Sequence, residues 1–460
     1  MLIPFKRSMF LNKKALLLLP AISIALVLSA QNTPADSSKL HEERDSNLVL
    51  SARNTPLDRI HVPTQVITKY VLPSNLEITT QAMYYSSKVP AGALYRVQGG
   101  KLNNNMIGKT ADRIGSGVAS IQGENSIQVC FNDHAHSVFP SKTGYWSLDY
   151  KYTNLVGASF NQDAFNLVFR GNAPFAGTTM RSENLSLNSM SWNQLGASFT
   201  KQIKSASNNN YWFEAGVAWV FMREYTRLSM PRAHLFTSGL GDSLNLSYQL
   251  DLTSKDKNTL GFYPLSHGAS VNVQFGGMKA KNGHSHYWRV SVSDLGLVSL
   301  GSAGATYAKD SSLGINGWQV PFTPYGIDSN ASFSNYFDTL LNRMNPRRSG
   351  LNSLVPLPAL LSFSKGVYLS NGRHVFGNLV YRAYPGFIPR VSVGYGKYLG
   401  LFYFGSQLSY GGVNAFDLRT FAACTIKNLR VRLDINSVEG LLFPGKLGGA
   451  GAALLLVWDL

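Results

Sequence analysis

The chain has 460 residues, of which 44% are hydrophobic and 12% aromatic, yet only 15% carry charge. Soluble domains hold roughly 25% charged residues, so this composition argues against an ordinary soluble domain. The formal net charge of +17 would suit nucleic acid, but no Lys/Arg cluster sits on a helix or within a recognition motif, so that class is set aside.

The first residues read as an export signal. Lys6, Arg7, Lys13 and Lys14 precede the apolar stretch from Ala15 to Ser29, and small Ser29 and Ala30 stand before polar Gln31. Basic region, short apolar region and small-residue site make residues 1–30 a cleavable signal peptide. The apolar run falls short of the roughly 18 residues that a membrane-spanning helix needs. Its removal takes away four basic groups and no acidic ones, so +17 falls to +13. Lipid phosphates or an anion-attracting lumen account for the remaining excess. Residues 31–59 are polar, with charges clustered from Lys39 to Asp45, and form a flexible leader.

From residue 60 to the end the pattern is β. Val66–Val71 and Ile127–Phe131 are strand-like and flank a Gly/Asn-rich middle, and this early part is wall, periplasmic flap or plug. From Thr143 the strand signals are dense. Trp146, Leu148, Tyr150 and Tyr152 alternate with polar residues; Leu155–Phe160, Phe165–Arg170, Trp192–Ile203 and Tyr211–Glu224 follow. Leu244 to Leu252 alternates cleanly, and Val271–Phe275 and Trp288–Leu300 continue the series. From Ser362 come Ser362–Leu369, Val375–Tyr384, Ile388–Tyr398, Leu401–Tyr410 and Ala415–Ile426, joined by short Gly or Asn turns. About fourteen strands (range 12–16) at this even spacing predict a closed antiparallel transmembrane β-barrel, an all-β fold.

The last two strands carry the argument furthest. Leu429, Val431, Leu433 and Ile435 alternate with Asn428, Arg430, Arg432, Asp434 and Asn436, a period of two that puts four apolar side chains on one face. In a barrel wall the apolar four face lipid, whereas Arg430, Arg432 and Asp434 face the lumen. Ala450–Leu460 is then an apolar run of eleven residues, the length of a tilted membrane-spanning strand. Such a terminal strand pairs with the first strand and removes both edges of the sheet.

One segment breaks the β pattern. Phe333, Phe337, Leu340, Leu341 and Met344 form a helical stripe that ends at Asn345-Pro346, within a helix-bearing loop over residues 320–358. This helix covers apolar surface, or it acts as a gate or partner-docking element.

Catalytic signals are thin. No nucleophile elbow, paired-cysteine zinc pattern, phosphate loop or His-Glu-x-x-His occurs, so no enzyme activity and no cofactor are expected. His134 with His136, and His284 with His286, read as solvated loop residues rather than a chelate, each pair lacking a third ligand. Asp294, in a strand context, faces a lumen or ends a strand. Cys130 and Cys424 make neither a disulfide framework nor a metal site.

Three stretches carry a family resemblance: Tyr287-Trp-Arg-Val-Ser-Val-Ser-Asp-Leu-Gly-Leu-Val298, the loop leading to Leu354-Val-Pro-Leu-Pro358, and Leu441-Leu-Phe-Pro444 through Leu460. Over residues 143–460 the chain resembles an uncharacterised outer-membrane β-barrel family of Bacteroidota. That family is similar in plan to long-chain fatty-acid transporter barrels and to barrel partners of gliding and type IX secretion. The resemblance implies an outer-membrane location, assembly by the barrel-assembly machinery, contact with outer-membrane lipid and no catalytic residues. Such barrels end in an aromatic residue; this chain ends in Leu460, with Trp458 two residues back on the same face. The expected function is passage of small or hydrophobic solutes across the outer membrane. The alternatives are a non-conducting barrel that docks a surface or periplasmic partner, and a soluble secreted β-sandwich. A lumen plugged by large side chains would favour docking, and a continuous polar channel would favour passage.

Overall fold

Side chains that alternate between two chemistries can satisfy both only if the strand lies between two different environments. A computed structural model shows how these strands combine. It describes residues 74–93, 104–133, 144–204, 209–240, 243–255, 266–281, 283–300, 304–316, 322–323, 326–327, 347–350, 354–369, 371–443 and 448–460. The expected signal peptide (residues 1–30) and leader (residues 31–59), the stripe from Phe333 to Met344, and His134 with His136 lie outside the described residues.

Fourteen antiparallel strands form one closed wall. In wall order they are β1 (Asn75–Ser86), β2 (Val118–Asp133), β3 (Gly144–Asn161), β4 (Thr179–Lys204), β5 (Asn209–Thr237), β7 (His267–Lys281) and β8 (His284–Ser299). The wall continues through β14 (Leu360–Tyr368), β15 (Arg373–Arg382), β16 (Ile388–Leu399), β17 (Phe402–Gly412), β18 (Asn414–Ile426), β19 (Leu429–Asn436) and β20 (Gly449–Asp459). Closure comes from β20 on β1, with Asn75 opposite Asp459 and Tyr85 opposite Gly449. One wall that meets itself is not two stacked sheets, so the sandwich alternative is excluded.

Short turns at residues 400–401 and 427–428 lie at the end of the wall where β1 begins and β20 finishes, here called the terminal end. Longer connections crowd the far end. There β5 runs on past the wall: its first half pairs with β7, and its second half, from Thr226, pairs with β6 (Ser243–Lys255). β6 in turn pairs with β9 (Gly304–Asn316), and β9 with β12 (Arg347–Gly350), which builds a lobe outside the barrel circuit. β13 (Leu354–Pro356) pairs with the end of β8. β10 (Phe322–Thr323) and β11 (Gly326–Ile327) form a two-stranded hairpin in a separate unit of the chain.

Two expectations are corrected. Leu244–Leu252 is a strand, β6, but belongs to the lobe. Alternation records that a strand has two unlike faces, not which sheet it joins. Tyr248 and Leu250 are buried within the lobe, though nothing in their spacing differs from that of a wall strand. Phe165–Arg170, expected as a strand, is part of helix α2 (Gln162–Arg170). The Asn161 side chain accepts the Ala164 N–H and caps its start, and Gly171 ends it at a φ of 72°. Phe165 and Phe169, one helical turn apart, meet ring to ring with centroids 4.6 Å apart and planes tilted by 42°. They bury against helix α1 (Asn104–Ile114), whose Ile107, Ala111 and Ile114 share one face. A third helix, α3 (Val438–Leu442), joins β19 to β20. Helical insertion is therefore not confined to residues 320–358.

The wall is inverted relative to a soluble protein. Val217, Trp219, Leu195, Val393 and Tyr410 are each more than half exposed on its outside, whereas Glu77, Gln194, Gln274 and Arg419 are at most 2% exposed inside. Among the described residues no helix is long and apolar enough to cross a membrane.

A closed, fully hydrogen-bonded wall should resist detergent until heated, so unboiled protein should run faster on a denaturing gel than boiled protein. On β19, Val431→Arg should cost about 2–4 kcal/mol in a lipid-reconstituted unfolding titration if it lies near the bilayer midplane. Leu433→Arg should behave alike, because Val431 and Leu433 share a face that Arg432 does not.

Candidate functional site: the barrel interior

Inward positions of the wall supply an unusual number of buried charges, and each one described below has a partner across or along the lumen. On β19, Arg432 is 9% exposed and Asp434 2%. The Arg432 Nε donates to Asp434 Oδ2 at 2.9 Å, and its guanidinium lies 4.9 Å over the Phe421 ring. Arg430 is nearer the terminal end and pairs with Asp459 at 2.8 Å. Leu429, Val431, Leu433 and Ile435 occupy the opposite face, in register with Trp458, Leu456, Leu454 and Ala452 of β20.

Asp294 marks a break in β8. Its φ of 57° is left-handed, a conformation that costs a non-glycine residue about 1–2 kcal/mol, and the β7–β8 register shifts beside it. The turn of backbone throws its carboxylate inward. There it accepts two hydrogen bonds from the Lys151 ammonium, at 2.8 and 3.1 Å, and one from Gln194 Nε2 at 3.0 Å. Its own N–H donates to Asn272 Oδ1. The cavity that Lys151, Asp294, Gln128 and Glu214 help to line is about 20 Å³, room for one water.

Near the terminal end, His374 is fully buried in an aromatic layer. Its two ring nitrogens lie 2.9 Å from the Tyr403 hydroxyl and 3.2 Å from the Tyr287 hydroxyl, and the Tyr368 ring stacks on it at 3.9 Å. Inward glycines make room for these rings. A Cβ at Gly396 would sit 2.3 Å from the Tyr403 hydroxyl, and one at Gly405 2.2 Å from Phe421. His284 and His286, on β8, do not join this group. Among the described residues no cluster of three or more His, Cys, Asp or Glu is placed to hold a metal, and no disulfide joins Cys130 to Cys424.

The far half of the interior is apolar. Leu155, Met190, Trp192, Val220, Met222 and Tyr225 come from β3, β4 and β5, and Val298, Leu300, Val355 and Leu357 close the group from β8 and the β13 segment. Into this chamber folds the β15–β16 connection. Phe387 donates its N–H to the Tyr384 carbonyl at 3.1 Å, and Gly386 has a φ of 78°, so Tyr384-Pro385-Gly386-Phe387 is a hydrogen-bonded turn with proline and glycine where a type II turn needs them. The turn leans into the barrel. The Tyr384 hydroxyl donates to the Asn188 carbonyl of β4 at 2.9 Å, and its ring rests on Gly157 of β3. A Cβ at Gly386 would meet Ser120 of β2 at 3.6 Å. At the foot of the turn Arg382 reaches Glu124 of β2 at 3.1 Å, both nearly excluded from solvent. β15 and β2 are seven strands apart in either direction around the wall, so this ion pair spans the lumen.

The sequence reading put attention on β19 and on a stripe outside the described residues, and missed this turn. The signal was present: aromatic Tyr384 and Phe387 flank a Pro-Gly turn, whereas a hairpin tip in water favours polar flanks.

No family model matches the chain, and no curated protein matches it. Solved structures do. The TodX monoaromatic hydrocarbon channel, in a deltaS2S3 mutant, aligns at 9% identity over 85% of this chain and 91% of its own, with a TM-score of 0.44; TodX comes from Pseudomonas putida. The translocator domain of the autotransporter NalP from Neisseria meningitidis aligns at 7% identity over 86% and 90%, with a TM-score of 0.31. The outer-membrane protease OmpT from Escherichia coli aligns at 9% identity over 86% and 100%, with a TM-score of 0.25. At these values the likeness goes no further than the barrel architecture described above.

Removing one partner of a buried ion pair leaves an uncompensated charge. Lys151→Met should therefore destabilise the folded barrel by about 3–5 kcal/mol in a denaturant titration followed by tryptophan fluorescence. Adding Asp294→Asn to it should recover much of that loss, since the charge is then gone from both sides.

Proposed function

We propose that this chain is an outer-membrane protein, exported by a cleaved signal peptide and set into lipid by the barrel-assembly machinery, that passes small apolar solutes along a gated route. The apolar outside of the wall supports the membrane location, since a band of this kind would otherwise be left in water. The observation that carries the passage reading is the apolar chamber in the far half of the interior, walled by Leu155, Trp192, Val220 and Met222 and filled by a short turn. In the ground state the barrel is shut to ions, because the Arg382–Glu124 pair crosses the lumen beneath that turn.

A second reading is a non-conducting barrel that docks a surface or periplasmic partner. It is favoured by the lobe of β6, β9 and β12, which adds strands that no wall requires. Conductance tests the closed ground state, and dye uptake separates the two readings. Purified, refolded protein in planar bilayers should show no steady ion conductance. Cells that carry it in a lipopolysaccharide outer membrane should take up the apolar dye N-phenyl-1-naphthylamine faster than cells without it. A steady open channel would overturn the closed ground state, and unchanged dye uptake would transfer the assignment to docking.

A further inference from the structure

The passage reading leaves open which element moves, and the geometry points to one: we propose that the Ala383–Phe387 turn is the gate of the apolar chamber, seated on Gly157 and latched by Arg382–Glu124 and Tyr384–Asn188. This rests on the passage reading and adds a moving part and its catch.

Three features distinguish the turn from ordinary interior filling. It is pre-formed, because the Phe387 N–H to Tyr384 carbonyl bond and the Pro385-Gly386 pair hold its shape without help from the wall. It can therefore swing as a unit about the ends of β15 and β16. Its polar attachment to the far wall is made of two separable contacts, one hydroxyl on a carbonyl at 2.9 Å and one ion pair at 3.1 Å. The rest is apolar packing of Tyr384 and Phe387 against Leu155, Met190 and Trp192 and close contact with Gly157 and Ser120, which a bound apolar solute can replace. The wall offers a seat shaped for it. A Cβ at Gly157 would lie 2.5 Å from the Tyr384 ring, so glycine is what lets the ring lie flat there. Glu124 is itself held by Gln81 Nε2 at 2.8 Å, which keeps the catch on β2 in place when Arg382 leaves. An apolar solute that enters takes over contacts that Tyr384 and Phe387 make in the closed state.

A reversible crosslink tests this directly. The 3.6 Å between Ser120 Cβ and a Cβ at Gly386 is within disulfide reach, so S120C/G386C in a C130S/C424S background should lock the turn when oxidised. Dye uptake by cells carrying the oxidised form should fall to that of cells lacking the protein, and reduction should restore it. Because cysteine at Gly386 is strained, two unlocking variants serve independently. Gly157→Val fills the seat, and Arg382→Gln with Tyr384→Phe releases the catch; each should raise uptake above wild type, with the heat-dependent gel shift showing that the wall is intact. If uptake is the same oxidised and reduced, and both unlocking variants match wild type, the gate assignment is overturned while passage stands. If wild type and unlocking variants alike show no uptake beyond background, the passage reading falls and the gate with it.

Discussion

Every feature of this protein depends on the ladder that joins β20 to β1. Backbone N–H and C=O groups in hydrocarbon have no water to bond, so a sheet there must have no edge. Once the wall meets itself, each strand has one face outward and one inward, and composition divides accordingly. Leu76, Ile78 and Thr80 of β1 alternate with Glu77, Thr79 and Gln81, and the paired run of β20 follows the same parity. The inward set is left to fill and neutralise its own space.

How the interior is filled explains why its charges persist. A lone buried charge is expensive, but a pair with further hydrogen bonds can be held. Asp294 illustrates the trade. Its left-handed backbone is strained, yet that same distortion turns its carboxylate toward Lys151 and Gln194, while Asn272 takes up the N–H that the bulge releases. The distortion also coincides with the stretch where β13 gives way to β14, with the Leu357 N–H bonded to the Gly296 carbonyl. Local strain and a local change of partner strand occur together, as expected where a bulge re-aims a side chain.

The two ends of the barrel are built for different tasks. Near the terminal end, rings lie on inward glycines around His374 and the turns at residues 400–401 and 427–428 are tight, which favours rigidity. At the far end lie, among the described residues, the helices α1, α2 and α3, an added lobe and an apolar chamber occupied by a turn held through few polar contacts.

By itself the sequence determined the fold class. The alternation of Leu429 to Asn436, the apolar run of Ala450–Leu460 and the low charge were enough to call for a closed antiparallel barrel of about fourteen strands, because a period of two and a ban on free edges are local and general constraints. Phe165–Arg170 went astray because a short apolar run suits a strand or a helix equally, and the Asn161 cap and the α1 face against it decided the matter. The strand at Leu244–Leu252 was legible but its sheet was not, since pairing partners are chosen by tertiary contact. The interior was the least legible of all. Arg382 meets Glu124, Lys151 meets Asp294, and Tyr384 meets Asn188 only after the wall has closed and brought β15 opposite β2, and no spacing along the chain encodes who stands across a lumen.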